Sequence, residues 1–354
     1  MTGRGVDQIF PRSCAPRLYE PHVTSALEYV ALAEEAHGPI PRPVDYAYVW
    51  GDGLDVLARE RPDARIINLE TSVTTSEDAA PKRIHYRMHP ANVPVLAAAR
   101  VDCCVLANNH VMDWGRSGLL ETLDGLACAR IHVAGAGRDI DAASAPAVLD
   151  ISGGHRVLVF AFGAGDSGIP RSWAAMATQP GVHLLPDFSD KTVERVATTV
   201  ESIKRAGDIA VASIHWGPNW GFRIDPEHRR FAHGLIDRAH IDVVHGHSSH
   251  HPKAIEVYGG RPVLYGCGDF LTDYEGIRGY EEFRGDLVLM YFVSFDARAG
   301  GLTQLSLAPF QLRRFRLTQP SSADRRWLRD LLDDECRRFG LRVALRDDRL
   351  VLEW

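Results

Sequence analysis

Four segments of the sequence lead into residues that divalent metal ions prefer as ligands. Each segment is a short run rich in apolar and β-branched residues, as in ARIINLE, VLANNH, VASIHWG and DVVHGHSSHH. The residues that follow them supply carboxylate, amide and imidazole groups, which suit Zn, Mn or Fe, and no thiolate. They are Glu70, Asn109 with His110, His215, and His247 with His250.

A ligand set of this kind predicts metal-dependent hydrolysis. A carboxylate can bridge two cations about 3.5–4 Å apart, and the cations then lower the pKa of a shared water molecule. The hydroxide that forms at neutral pH can attack a phosphoryl or carbonyl centre. We therefore expect two divalent ions, of Mn, Fe or Zn, and a phosphoester or amide substrate.

Each residue also has an ordinary structural interpretation. A carboxylate such as Glu70 at a strand end is usually solvated or paired, and Asn109 could shape a turn. His215 could be a buried histidine with satisfied hydrogen bonds. Four histidines within residues 245–251 favour a ligand role, although such tracts also bind metals adventitiously. The coincidence of four strand ends supports the metal hypothesis more than any single residue does.

The elements that must position these residues follow an α/β pattern. From about residue 64, β-branched runs alternate with helical stretches, which predicts a buried sheet covered by helices. Because open α/β sheets bind ligands beyond the carboxyl ends of their strands, we expect the four loops to converge. Strands are predicted at 64–69, 101–106, 156–162, 208–214, 241–244 and 261–265. Helices are predicted at 25–36, 92–100, 117–130, 190–206 and 227–239.

The ends of the chain are less regular. The helix at 190–206 is the best defined, with Asp190 as its expected N-cap and Gly207 after its end. The tail from about residue 292 predicts short strands, a charged helix near 321–339 and a strand pair around 342–352.

Composition limits the classes of function. The net charge is −6 and the basic residues are scattered, so no nucleic-acid partner is expected. No apolar run is long enough for a membrane span, and no signal peptide is visible. Six cysteines without a CxxC pair indicate reduced thiols. We predict a cytoplasmic protein.

The motifs and their order resemble the CapA capsule-synthesis family, which is associated with poly-γ-glutamate production and has a calcineurin-like metallophosphoesterase fold. The resemblance covers most of residues 1–290. It implies an α/β (α+β) fold of layered β-sheets flanked by helices, with a CapA-like domain at 1–292 and a C-terminal extension at 293–354. The matching segments are MTGRGVDQ, INLETSVT, KRIHYRMHP, LANNHVMDWG, SIHWGPNW and HGHSSHHPKAIEVYGGRPVLYGCGDF.

The resemblance also implies roles for single residues. His110 would assist the leaving group or stabilise the transition state, acting with Glu70 and Asn109 as the catalytic residues. The implied metal ligands are Glu70, Asn109, His215, His247 and His250. The implied substrate-binding residues are Arg4, Lys82, Arg87 and Asp269, of which the basic ones would hold a phosphate or the carboxylates of a glutamate polymer. Plain surface charge is an equally good interpretation of Lys82 and Arg87.

Two departures from the family leave the function open. The family opens with a strand ending in Gly-Asp, whose Asp binds a metal, and here the sequence starts at Met1; either the natural chain is longer, which we favour, or a ligand is lost. The membrane anchor of capsule-synthesis members is also missing. The alternatives are therefore a hydrolase, a non-catalytic polyanion-binding subunit of a polymer-synthesis complex, and a truncated pseudoenzyme.

Overall fold

The computed structural model describes residues 1–296 and 300–354, and it confirms a mixed α/β fold of several sheets flanked by helices. The helices are α1 (Ala26–His37), α2 (Gly53–Glu60), α3 (Pro94–Ala98), α4 (Gly115–Cys128), α5 (Ile140–Ser144), α6 (Asp190–Ile203), α7 (Pro226–Asp237) and α8 (Ser322–Arg337). The strands are β1 (Ile66–Asn68), β2 (Ser72–Val73), β3 (Arg87–Met88), β4 (Cys103–Val105), β5 (His132–Ala134), β6 (Ala136–Gly137), β7 (Ala147–Asp150), β8 (Arg156–Gly163), β9 (Gly181–Val182), β10 (Ile209–His215), β11 (Val243–His247), β12 (Ile255–Tyr258), β13 (Arg261–Leu264), β14 (Leu287–Phe295), β15 (Leu302–Arg313), β16 (Arg316–Thr318), β17 (Arg342–Arg346) and β18 (Arg349–Glu353).

Two sheets carry the four predicted strand ends. The first sheet has the order β1-β4-β5 and is parallel throughout. The second has the order β12-β13-β11-β10-β8-β7, with β8, β10, β11 and β13 parallel to one another. Glu70 and Asn109 therefore follow β1 and β4 of the first sheet, whereas His215 and His247 lie at the ends of β10 and β11 of the second sheet. A single sheet edge, as the strand pattern alone suggested, does not collect all four.

The alternation of side chains along β10 explains why polar groups lie between the two sheets. Every second residue of this strand packs on the helices α6 and α7, while Val211 packs against the first sheet. Because successive side chains of a strand point to opposite faces, Ser213 and His215 share the face of Val211. His245 and His247 of β11 share the same inner face. Two apolar strands thus end in polar side chains that face the first sheet.

A third sheet forms the C-terminal part of the chain. Its order is β14-β15-β18-β17, and α8 packs against it through Leu328 and Leu332. The charged helix and the final strand pair are confirmed. A short strand is present as β16, but β14 and β15 form a long antiparallel hairpin where short strands were expected. The division expected after residue 292 falls inside β14.

The helix bounds show where local signals were misleading. The N-cap of α6 is Ser189, whose hydroxyl accepts a hydrogen bond from the Thr192 amide at 3.4 Å, so Asp190 is a first-turn acid and the expected Asp190 cap is wrong. The helix ends at Ile203, because Lys204 has an extended backbone. The helix expected at 92–100 is confined to α3, which begins at Pro94.

A cavity of 880 Å³ runs along β1, between its outer edge and β14. Apolar side chains such as Ile67 and Val293 line much of it, and Glu70, His247 and Asp269 also border it. Among the described residues, none of the helices has both the length and the apolar character needed to cross a membrane. The cytoplasmic location stays a prediction.

Candidate metal centre

The ends of β10 and β11 bring two of the predicted ligands into direct contact. His215 and His247 are register partners in the parallel pair, and their Nδ1 atoms lie 2.7 Å apart. Burial lowers the pKa of both rings, and for His215 repulsion of its charged form by the neighbouring basic groups of His110, His250 and Lys82 lowers it further. The two rings are therefore neutral, which is the state in which imidazole binds a metal.

Ser213 and His245 extend this hydrogen-bonded network away from the site. The Ser213 hydroxyl lies 3.0 Å from Nε2 of His247 and 2.9 Å from Nδ1 of His245. Burial lowers the pKa of His245 to about 4, so this ring is neutral as well. An uncharged network of one hydroxyl and three imidazoles therefore lies on the inner face of the second sheet.

Two buried side-chain atoms of the predicted ligands have no hydrogen-bond partner. They are Oδ1 of Asn109 and Nε2 of His215, and both belong to predicted ligands. A buried polar atom without a partner costs about 1–3 kcal/mol, so such atoms are uncommon and are often explained by an ion or water. An amide oxygen and a neutral imidazole nitrogen are both suitable ligands for a divalent cation. These residues therefore fit the implied metal.

The predicted ligands do not yet form a complete metal-binding cluster in the described part of the chain. Within residues 1–296 and 300–354, no group of three or more His, Cys, Asp or Glu side chains is gathered at metal-binding distance. Glu70 is nevertheless close enough to His250 for the two groups to interact electrostatically. Burial raises the pKa of Glu70, while His250 and a hydrogen bond from Nδ2 of Asn68, at 2.7 Å, oppose that rise.

His110 is oriented by a buried carboxylate. Its Nδ1 lies 2.7 Å from Oδ2 of Asp113, and its ring forms a T-shaped contact with the ring of Tyr86. Burial opposes ionisation of Asp113, but His110 and Lys82 lower its pKa, so this group is a carboxylate. Burial lowers the pKa of His110 to about 4. The neutral ring therefore donates from Nδ1 to Asp113, and Nε2 is left as the acceptor.

Lys82 belongs to this same cluster. Its ammonium donates to Oδ1 of Asp113 at 2.6 Å and to the carbonyl oxygen of Asn109 at 2.5 Å. A lysine that was predicted to contact substrate thus also balances the charge of the carboxylate that orients His110. Its side chain keeps 25% of its surface exposed, so it can also face a bound anion.

His250 is paired with the fourth predicted substrate residue. Its Nδ1 lies 3.0 Å from Oδ1 of Asp269, and Nδ2 of Asn219 lies 3.0 Å from its Nε2. Burial disfavours the charged ring, but the Asp269 carboxylate raises the pKa of His250 above its ordinary value. Asp269, predicted to bind substrate, thus contacts the predicted metal ligand His250 and raises its pKa.

The remaining two basic residues are engaged inside the protein. Arg4 is buried, donates to both oxygens of Asp273 and to Glu20, and lies over the ring of Tyr29. The other, Arg87, donates to the carbonyl oxygens of Ser76 and Ala15, and its guanidinium lies 3.9 Å from the centre of the Trp114 ring.

Sequence reasoning assigned no role to several residues that shape this site. Asp113, Ser213 and Asn219 each contact a predicted ligand or catalytic residue. Asp113 could have been found from its spacing of three residues after His110. Ser213 could have been found as the residue two before His215, on the same face of a strand.

Comparison with known proteins places these motifs in one family. The family model described as "Bacterial capsule synthesis protein PGA_cap" matches residues 1–274. A protein of Mycobacterium tuberculosis, named "Probable polyglutamine synthesis accessory protein" in two strains, is 47% identical over 353 residues, which cover 99% of this chain and 93% of its own length. The "PGA biosynthesis protein CapA" of Bacillus subtilis is 30% identical over 228 residues, 63% of this chain and 56% of its own. The "Capsule biosynthesis protein CapA" of Bacillus anthracis is 24% identical over 276 residues, 77% of this chain and 63% of its own.

Proposed function

The chain belongs to the PGA_cap family of bacterial capsule synthesis proteins, and on that premise we propose that it is a metal-dependent hydrolase of a phosphoester or γ-glutamyl substrate. Its place would be in the synthesis of a glutamate polymer or a capsule; the names of its relatives speak of polyglutamine synthesis, PGA biosynthesis and capsule biosynthesis. The observation that carries the proposal is the pair of buried acceptors without partners, Oδ1 of Asn109 and Nε2 of His215.

The residues that would hold the metal come from both sheets. Asn109 and His215 would bind through the two atoms that have no hydrogen-bond partner. Glu70, His247 and His250 would complete the set, the two histidines by giving up one ring hydrogen bond each. A pair of divalent cations bound there would supply Lewis acidity and an acidic water molecule at neutral pH. Neutral imidazoles and an amide add ligands without cancelling the charge of the cations, so the positive charge remains available to an anionic substrate.

His110 would act on the substrate. The hydrogen bond from its Nδ1 to Asp113 fixes the ring and leaves Nε2 as the atom that faces a reacting group. A negative phosphate or carboxylate beside the ring, together with Asp113, would favour the protonated form. Nε2 could then give its proton to the leaving oxygen or nitrogen.

A non-catalytic role in holding a polyanion is the second candidate. The words "accessory protein" in the name of the Mycobacterium tuberculosis relative favour it. All three basic residues expected to bind a polymer are nevertheless bonded internally: Arg4 to two carboxylates, Arg87 to two carbonyl oxygens, and Lys82 to Asp113 and the carbonyl oxygen of Asn109. Of the three, Lys82 keeps a quarter of its side chain exposed. A binder should retain poly-γ-glutamate, with an affinity that falls with salt, and should release no product.

Elemental mass spectrometry on protein purified without chelators or a histidine tag tests the proposal. We expect about two transition-metal ions per chain, fewer in His247→Ala, and chelator-sensitive hydrolysis of phosphoesters or γ-glutamyl amides. One ion per chain without turnover would favour the pseudoenzyme. No ion, with poly-γ-glutamate bound and uncut, would favour the binding subunit.

A further inference from the structure

The hydroxyl of Ser213 lies between two imidazoles, one of them a predicted ligand. It is 3.0 Å from Nε2 of His247 and 2.9 Å from Nδ1 of His245. Ser213 is fully buried, and His245 is its register partner on the neighbouring strand. The parallel pairing of β10 and β11 therefore sets this contact, and it does not depend on a mobile loop.

A hydroxyl has one proton, so its two ring partners must differ in protonation. If Ser213 donates to Nδ1 of His245, it accepts from Nε2 of His247. The proton of neutral His247 is then on Nε2, and the lone pair is on Nδ1, the atom that faces His215. If the hydrogen bonds run the other way, His247 carries its proton on Nδ1 and donates it towards His215.

Only the first direction leaves a free lone pair on His215 for a cation. Nδ1 of His215 can then donate to Nδ1 of His247 across 2.7 Å, which leaves the partnerless Nε2 of His215 as an acceptor. The second direction makes that Nε2 a buried N–H without an acceptor, so the ring cannot bind a cation through it. The direction of one serine hydrogen bond thus decides whether His215 can bind a cation through Nε2.

We propose that Ser213, supported by His245, is a positioning residue of the metal centre: it fixes the tautomer of His247 with its lone pair on Nδ1 and so keeps Nε2 of His215 available for a cation. This inference rests on the proposed function. Groups that hydrogen-bond to metal-binding histidines commonly change metal affinity by 10- to 100-fold when they are removed.

The test measures the dissociation constant of Zn²⁺ by competition with a chromophoric chelator, on the whole chain. Ser213→Ala and His245→Leu each remove one link of the network, whereas His245→Asn keeps an acceptor oxygen close to the position of Nδ1. Thr122→Val is the matched control, because the Thr122 hydroxyl is also fully buried but bonds only to the backbone of Val73 and Gly118. Urea unfolding of the metal-free proteins reports any loss of stability separately.

We expect Ser213→Ala and His245→Leu to weaken Zn²⁺ binding about 10- to 100-fold. His245→Asn should bind nearly as the wild type does, and Thr122→Val should lose stability without losing affinity. Equal affinity in the wild type, Ser213→Ala and His245→Leu would overturn this inference and leave the metal site standing. A wild-type protein that binds no Zn²⁺ would overturn the proposed function, and this inference with it.

Discussion

The two sheets contribute chemically different halves to the candidate metal centre. The second-sheet half consists of Ser213, His215, His245 and His247, which are uncharged and lie on the inner faces of buried strands. The first-sheet half consists of Glu70, Asn109, His110 and Asp113 from the loops after β1 and β4, and Lys82 from the loop between β2 and β3. It contains a carboxylate and an ammonium in direct contact.

The position of each half explains this difference. Strands with both faces covered remove water from their side chains, and desolvation then favours neutral imidazole. Loops allow charged groups to find partners, as Asp113 does with His110 and Lys82. The second-sheet half is therefore suited to present lone pairs to cations, and the first-sheet half to orient a proton donor and an anion. This division of roles is open to experiment.

The largest expected effect is the loss of a ligand in the second-sheet half. His215→Ala should remove at least one metal ion per chain and reduce hydrolysis by a factor of 100 or more, on the order of 3 kcal/mol. Elemental mass spectrometry and turnover on the same preparation check this. Lys82→Met is the control from the first-sheet half and should keep its metal content. If both variants kept all their metal, the division between the halves would be wrong.

A loss in the first-sheet half should separate chemistry from metal binding. His110→Ala should reduce turnover by roughly 100-fold or more, because it removes the proton donor, while the metal content stays at the wild-type value. Asp113→Asn should lower turnover by less, since the ring remains but loses its carboxylate. Equal losses of metal and turnover in His110→Ala would make His110 a ligand and contradict this account.

A histidine outside both halves tests whether burial alone keeps imidazole neutral. His183 packs on Phe162, and burial lowers its pKa from 6.5 to about 4. Because the folded pKa lies below the unfolded one, the stability that this ring contributes is complete above pH 6.5 and is lost as the pH falls towards 4. Urea unfolding at pH 7 and pH 4.5 should show His183→Gln losing roughly 2 kcal/mol less than the wild type. Parallel losses in the two proteins would show that the ring is not desolvated.

The smallest expected effect is at Asp269, whose carboxylate contacts His250. Asp269→Asn keeps an oxygen that can accept from Nδ1 of His250. We therefore expect turnover and metal content to change by about threefold or less, corresponding to under 1 kcal/mol. A loss as large as that of His215→Ala would show that the negative charge of Asp269 is itself required.

The sequence was sufficient for the parts of this account that local pattern controls. Short apolar runs before Glu70, Asn109 and His215 predicted strands where β1, β4 and β10 are found. The contact of Ser213 with His245 was not predictable, because it depends on the register between two strands. Arg4 was expected to bind substrate, but it bonds to the carboxylate of Asp273, which is 269 residues away in the chain.

The largest error in the predicted secondary structure, in the strands after residue 292, has a similar cause. The residues after 292 were predicted to form short strands, whereas β14 and β15 pair with each other over most of their length. Pairing with a neighbouring strand stabilises residues whose own preference is weak. Tertiary context therefore decided the lengths of these strands.

Anomalous X-ray diffraction from crystals soaked in Mn²⁺, collected near the manganese absorption edge, tests the central claim most directly. We predict a peak within bonding distance of Nε2 of His215 and Oδ1 of Asn109, with His247 beside it. A well-ordered crystal with both atoms in place and no peak between the two halves would contradict the account.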